Sequence, residues 1–136
     1  MNKNLLKLLE ESEGRRSKVY ADHKGILTIA IGRNLESKGL SEDEIDYLFA
    51  NDVKECIEDL ERVIPRWKDL SEDRQNALVS MRFMLGLNGL LGFKKVIAAL
   101  HRKDYTRAAD EIFNSKARRE DPSDRWINLS EMMRAG

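Results

Sequence analysis

Apolar residues recur with a helical period along most of this chain and with a strand period over one short stretch. Leu5, Leu8 and Leu9 fall at i, i+3 and i+4, and Leu6 widens the stripe, so residues 2–13 read as an amphipathic helix. Gly14 stands where a left-handed residue is wanted, which makes Glu13 the last helical residue or the cap itself. Between 17 and 32 the period changes. Val19-Tyr20 is strand-like, Asp22-His23-Lys24-Gly25 is turn chemistry, and Ile26 to Ile31 resumes as strand, an antiparallel pair. In the second strand Leu27, Ile29 and Ile31 point one way, and Thr28, Ala30 and Gly32 the other. Such a face of small or polar side chains suits a cleft floor.

A polar loop at 33–40 separates this pair from a return to helix. Ser41-Glu42-Asp43-Glu44 is a capping box. Apolar residues from Ile45 to Val63 then keep helical period over 41–63, about 34 Å at 1.5 Å per residue. The acidic residues between them read as solvated surface. Pro65 and Trp67 sit in a connection, and Ser71 opens a further helix. Gly86, Asn88, Gly89 and Gly92 form a loose connection with no G-K-[ST] after it, which excludes a phosphate loop. Helices are expected over 93–101 and 104–115, the second capped by Asp104. A last helix starts at Asp121-Pro122-Ser123-Asp124, with proline at its first position, and runs to about Arg134.

Composition narrows the class. The chain has 136 residues, 41% hydrophobic and 35% charged, ordinary for one soluble globular domain. No apolar run approaches the ~20 residues of a membrane span, and the N-terminus lacks the pattern of a secretory signal. The expectation is a cytoplasmic product that something else carries across a membrane. The only cysteine, Cys56, cannot form an internal disulfide and reads as a small apolar residue on a buried helix face. Net charge is zero but uneven: residues 41–62 hold 2 basic and 9 acidic residues, while the segments on either side are mildly basic. No concentrated basic stripe is present, so nucleic-acid binding is not expected.

The candidate chemistry lies in two carboxylates on different short elements. Glu13 ends a helix, where the partial negative charge of the backbone favours the protonated acid. Asp22 opens a solvated turn and should stay ionised. Different environments for two carboxyls separate the jobs of acid and base, as glycosidic-bond hydrolysis requires. His23 and His101 match no metal spacing and read as surface residues, so no metal or cofactor is expected. Met81, Met84, Met132 and Met133 read as core filling, Tyr20 as packing beneath the hairpin, and Trp67 and Trp126 as anchors of the helical region.

The string E-G…Y-x-D-x-x-G-x-x-T-I-x-I-G from Glu13 to Gly32, and the order of elements around it, resembles the bacteriophage lysozymes of glycoside hydrolase family 24, T-even-phage type. The resemblance continues through the capped long helix, M-x-F-x-x-G at 81–86, G-F at 92–93, Ala108-Ala109 and P-x-x-R at 122–125. It implies an α+β, mainly helical, lysozyme-like fold in two lobes. Residues 1–136 would form one domain: a small β lobe at 13–40, a connecting helix at 41–63, and a helical lobe of 64–136 with helix 2–12. The implied activity is an inverting endolysin that cuts the β-1,4 bond between N-acetylmuramic acid and N-acetylglucosamine of peptidoglycan. Glu13 would be the general acid, with Asp22 and Thr28 positioning water, and inversion implies carboxyls about 6.5–9.5 Å apart. Asn34, Phe83, Met84 and Arg125 would contact substrate. A monomer released through a holin, with no membrane insertion, completes the expectation.

Several positions depart from that family's pattern. Ala30 and Arg33 stand where T-I-G-x-G-H is usual, and the replaced histidine commonly pairs with a carboxylate of the helical lobe. Met84, Val96 and Glu111 replace polar, small or amide residues that face substrate. Two other functions compete. A lytic transglycosylase would need one acid and no Asp22 or Thr28, and a wall-binding or structural module would have lost the chemistry.

Overall fold

The computed structural model describes residues 1–136. They form two compact units, Met1–Leu48 and Phe49–Gly136.

The first unit begins with helix α1 (Lys3–Glu13). Asn2 caps it, its side-chain oxygen accepting from the backbone N–H groups of Asn4 (2.9 Å) and Leu5 (3.3 Å). Gly14, at φ +79°, ends it, donating its N–H to the Glu10 carbonyl. Three antiparallel strands follow in the order β1 (Arg16–Ala21), β2 (Leu27–Ala30), β3 (Arg33–Asn34). Tyr20 pairs with Thr28 and Ala21 with Leu27, Thr28 pairs in turn with Asn34, and the β1–β2 register is irregular between Arg16 and Tyr20.

The third strand lies in what the sequence suggests is a loop. Its cause is at Ala30, whose φ of +61° takes β2 out of its pleat, so that Gly32, at φ +65°, can turn the chain back on itself. The expected face of Thr28, Ala30 and Gly32 is therefore cut short: Thr28 is buried, while Ala30 is exposed. Tyr20 is half-buried, with the Arg16 guanidinium 4.3 Å from its ring centre.

Helix α2 (Glu42–Val63) starts in the first unit and runs on into the second. Its capping box forms as read, Glu44 N–H donating to Ser41 Oγ and Ser41 N–H donating to Glu44 Oε1. The acidic face is not uniformly solvated. Asp59, with its side chain 13% exposed, holds Arg82 at 2.8 Å and Arg62 at 2.8 Å.

The rest of the second unit is a short 3-10 turn (Trp67–Asp69) and the helices α3 (Glu72–Leu91), α4 (Lys94–His101), α5 (Tyr105–Phe113), α6 (Lys116–Glu120) and α7 (Arg125–Ala135). Gly86, at φ +74° and ψ 173°, breaks α3, but helix resumes beyond it, so the glycine-rich stretch is only partly a connection. Helix α7 starts at Arg125, not at Pro122. Asp121 accepts from the Ser123 N–H and hydroxyl, and this local turn keeps the proline outside the helix. The core of the unit is built from Leu60, Trp67, Leu78, Met81, Leu90, Val96, Ile112, Trp126 and Met133, with Phe93 stacked on Trp126 at 5.8 Å. Cys56 is buried on α2, as its position suggests. No single helix is long and apolar enough to cross a membrane.

Candidate active site

The first unit carries both carboxyls of the motif. Glu13 is the terminal residue of α1, and its exposed side chain lies across Gly32 in the β2–β3 turn. A Cβ at position 32 would stand 2.5 Å from Glu13 Oε2 and 2.8 Å from its Cδ, closer than any side chain tolerates. Gly32 is demanded by its positive φ, and a Cβ there would displace the carboxyl above it.

Asp22 sits at the opposite end of the sheet, where Ala21 and Leu27 close the β1–β2 hairpin. Its Oδ1 accepts from the backbone N–H groups of Lys24 (2.8 Å) and Ile26 (2.9 Å), and its own N–H donates to the Ile26 carbonyl. The Ile26 hydrogen bond is the largest influence and holds its carboxyl below the usual range; desolvation opposes it, and the Lys24 N–H and the charges of His23 and Lys24 add to the lowering. Asp22 is therefore an anion at neutral pH. Both bonds fall on Oδ1, so Oδ2 is the oxygen that can take a water.

Thr28 occupies the middle strand between Tyr20 and Asn34. Its hydroxyl donates to the Ile26 carbonyl at 2.8 Å, which ties it to the same residue that holds Asp22. Asn34 Oδ1 accepts from the N–H groups of Glu36 and Ser37, both at 3.0 Å, and so shapes the loop after β3.

Arg33 does not need a partner outside the first unit. Its Nη1 donates to Glu44 and to the Gly39 carbonyl. Glu44, held by the Ser41 N–H first and by Arg33 second, is lowered to about 2. Read from sequence, Glu44 is only half of a capping box. The structure makes it also the anchor of β3, a pairing that no spacing rule signals.

In the second unit Phe83, Met84 and Arg125 come together around a pocket of about 490 Å³ that also takes in Phe49 and Leu129. Phe83 meets Phe49 edge-to-face at 5.9 Å, and Arg125 Nη1 donates to Met84 Sδ. Val96 and Glu111, the other departures from the family pattern, line a separate pocket of about 460 Å³ rimmed by Lys94, Lys95 and Lys116. Glu111 is held there by Arg107 at 3.0 Å.

The chain is similar to several known proteins. The chain is 29% identical to the endolysin of Salmonella phage P22, over 90% of this chain and 87% of that protein. It is 26% identical to probable T4-type lysozyme 1 of Dictyostelium discoideum, over 91% of each. It is also 25% identical to the pre-baseplate central spike protein Gp5 of Enterobacteria phage T4, over 79% of this chain but 24% of that longer protein. The phage lysozyme family matches residues 10–121, a span that holds Glu13, Asp22 and Thr28, and the chain belongs to that family.

Proposed function

We propose that this glycoside hydrolase is an inverting muramidase that cuts the β-1,4 bond between N-acetylmuramic acid and N-acetylglucosamine of peptidoglycan. The observation that carries the proposal is the contrast between its two carboxyls. Glu13 ends a helix, beside outward-pointing carbonyls, and is seated on the β2–β3 turn. Asp22 is pinned as an anion by two backbone N–H groups. In this reading Glu13 protonates the departing glycosidic oxygen. Asp22 Oδ2 orients and deprotonates the attacking water, with Thr28 as its neighbour. Phe83, Met84, Arg125 and Asn34 contact the glycan or its peptide, Asn34 from the loop it shapes after β3. Residues 1–136 act as one monomeric domain. It is made in the host cytoplasm and reaches the wall once a holin has opened the membrane.

The test is turbidity loss of chloroform-permeabilised Gram-negative cells with wild type, Glu13→Gln and Asp22→Asn. Lysis by wild type that disappears with Glu13→Gln, with new reducing ends, supports the hydrolase. 1,6-Anhydro ends in place of reducing ends would assign a lytic transglycosylase. A folded wild type that binds walls without lysing them would make the chain a wall-binding module. The replaced residues Met84 and Glu111, and the partial match to a spike protein, keep that second reading open to experiment.

A further inference from the structure

The glycine that ends the motif, Gly32, has no role in the chemistry described so far, yet the Glu13 carboxyl lies against its bare Cα. A Cβ there would overlap Oε2, Cδ and Cγ of Glu13 at 2.5, 2.8 and 3.0 Å. Three consecutive side-chain atoms of the acid thus lie along the bare Cα, which is a fitted contact rather than a grazing one. The backbone supplies the fit. Ala30 adopts φ +61° and Gly32 φ +65°, two left-handed residues that flank Ile31 and swing the chain from β2 into β3. Alanine in that region is strained by about 1–2 kcal/mol per residue, so the turn is held in place by what surrounds it. The surroundings are visible: Thr28 pairs with Asn34, Ile29 pairs with Arg33, and Arg33 is fastened to Glu44 and Gly39.

We propose that Gly32 is a positioning residue for the acid, its missing side chain being the seat that sets the place of the Glu13 carboxyl, with the Ala30–Gly32 turn as the adapter that presents it. The inference rests on the reading of Glu13 as the general acid. Removing an overlap with a 2.5 Å separation requires the carboxyl to move by roughly 1 Å, a displacement that costs on the order of 100-fold in rate when it falls on a reacting group. The moving atoms are the far end of a flexible side chain, so the cost in stability is only that of the backbone.

The test compares Gly32→Ala with Gly39→Ala. Gly39 has a similar φ of +60°, and a Cβ there meets only the Leu35 carbonyl at an ordinary 3.7 Å. The two variants therefore share backbone strain and differ in the seat. The expected result is a similar drop in Tm for both, with kcat falling about 100-fold for Gly32→Ala alone and KM staying within two-fold. Wild-type kcat in Gly32→Ala, or a loss that Gly39→Ala matches, overturns the proposal. Should Gly32→Ala fail to fold, the comparison is repeated on a turn relieved of its other left-handed strain, as Ala30→Gly against Ala30→Gly/Gly32→Ala. A kcat about 100-fold lower in the double variant at unchanged KM supports the seat, and equal kcat overturns it. Activity retained by Glu13→Gln would instead sink the reading of Glu13 as the acid, whatever Gly32→Ala does.

Discussion

The first unit buries one side chain below a tenth of its surface, the hydroxyl-bearing Thr28, whereas the second buries eighteen apolar ones. In the first, form comes from polar detail close in sequence: the Asn2 cap, the Asp22 turn, the Asn34 loop and the Ser41–Glu44 box with Arg33. In the second, form comes from side chains far apart in sequence, such as Leu60, Met81, Ile112 and Trp126, meeting in one cluster. The lesson is a division of labour. Polar groups of the first unit, Asp22 among them, are fixed by local hydrogen bonds, and bulk stability is lodged in the buried cluster of the second.

The largest effect expected of any single change sharpens that contrast. Glu13→Gln should lower muralytic kcat by about 10²–10⁴-fold while Tm stays at the wild-type value, as turbidity assays and thermal melts on the same preparation will show. Trp126→Ala should do the reverse. It removes a ring that is 3% exposed and stacked on Phe93, and should cost about 3–5 kcal/mol in denaturant unfolding, with kcat of the remaining folded protein little changed. A Trp126→Ala protein as stable as wild type would break the comparison.

Smaller effects probe exceptions on each side. Asp59→Ala leaves the Arg82 guanidinium, 14% exposed, with only Glu55 at 3.7 Å, and should destabilise the second unit less than loss of Trp126 does. Ala30→Gly should raise stability by about 0.5–1 kcal/mol, because the relief of left-handed strain exceeds the added entropy of the unfolded chain. The smallest effect is in pH. Glu44 is depressed from 4.5 to about 2, so its contribution is complete above pH 4.5 and is lost as pH falls through 2. Stability of Glu44→Gln against pH should therefore be flatter than wild type between those two values, parallel to it but lower above about 5, and should converge with it at the acid end.

Much of the first unit was legible because its signals are local. Glycine after Glu13, aspartate before a glycine turn, and Ser41 three residues ahead of Glu44 each name a specific hydrogen bond. What stayed hidden there depends on a backbone state that side-chain pattern does not encode. Strand β3 exists because Ala30 is left-handed, and alanine is a residue that gives no warning of it. In the second unit the core follows from helical period at Cys56, Leu60 and Met81, and from bulk at Trp67 and Trp126. Its boundaries were harder to read. Helix α6 has five residues, none of them buried, and its only trace in the sequence is the Ser115 cap. Helix α7 starts later than its proline suggests because Asp121 spends its side chain on a turn instead of a helix. For the site, the sequence names Glu13, Asp22 and Thr28 as candidates and is silent on what supports them. Neither the seat of Glu13 on Gly32 nor the tie from Arg33 to Glu44 follows from spacing.

Cys56 has a practical consequence. Its thiol is 2% exposed on α2, and burial raises its proton affinity further, so a disulfide reagent cannot attack it while the helix is packed. Being the chain's single sulfhydryl, it acts as a clock. The rate at which it is modified under native conditions counts the openings of that stretch of α2, and the ratio to the rate in denaturant converts the count into an opening free energy without any label being introduced.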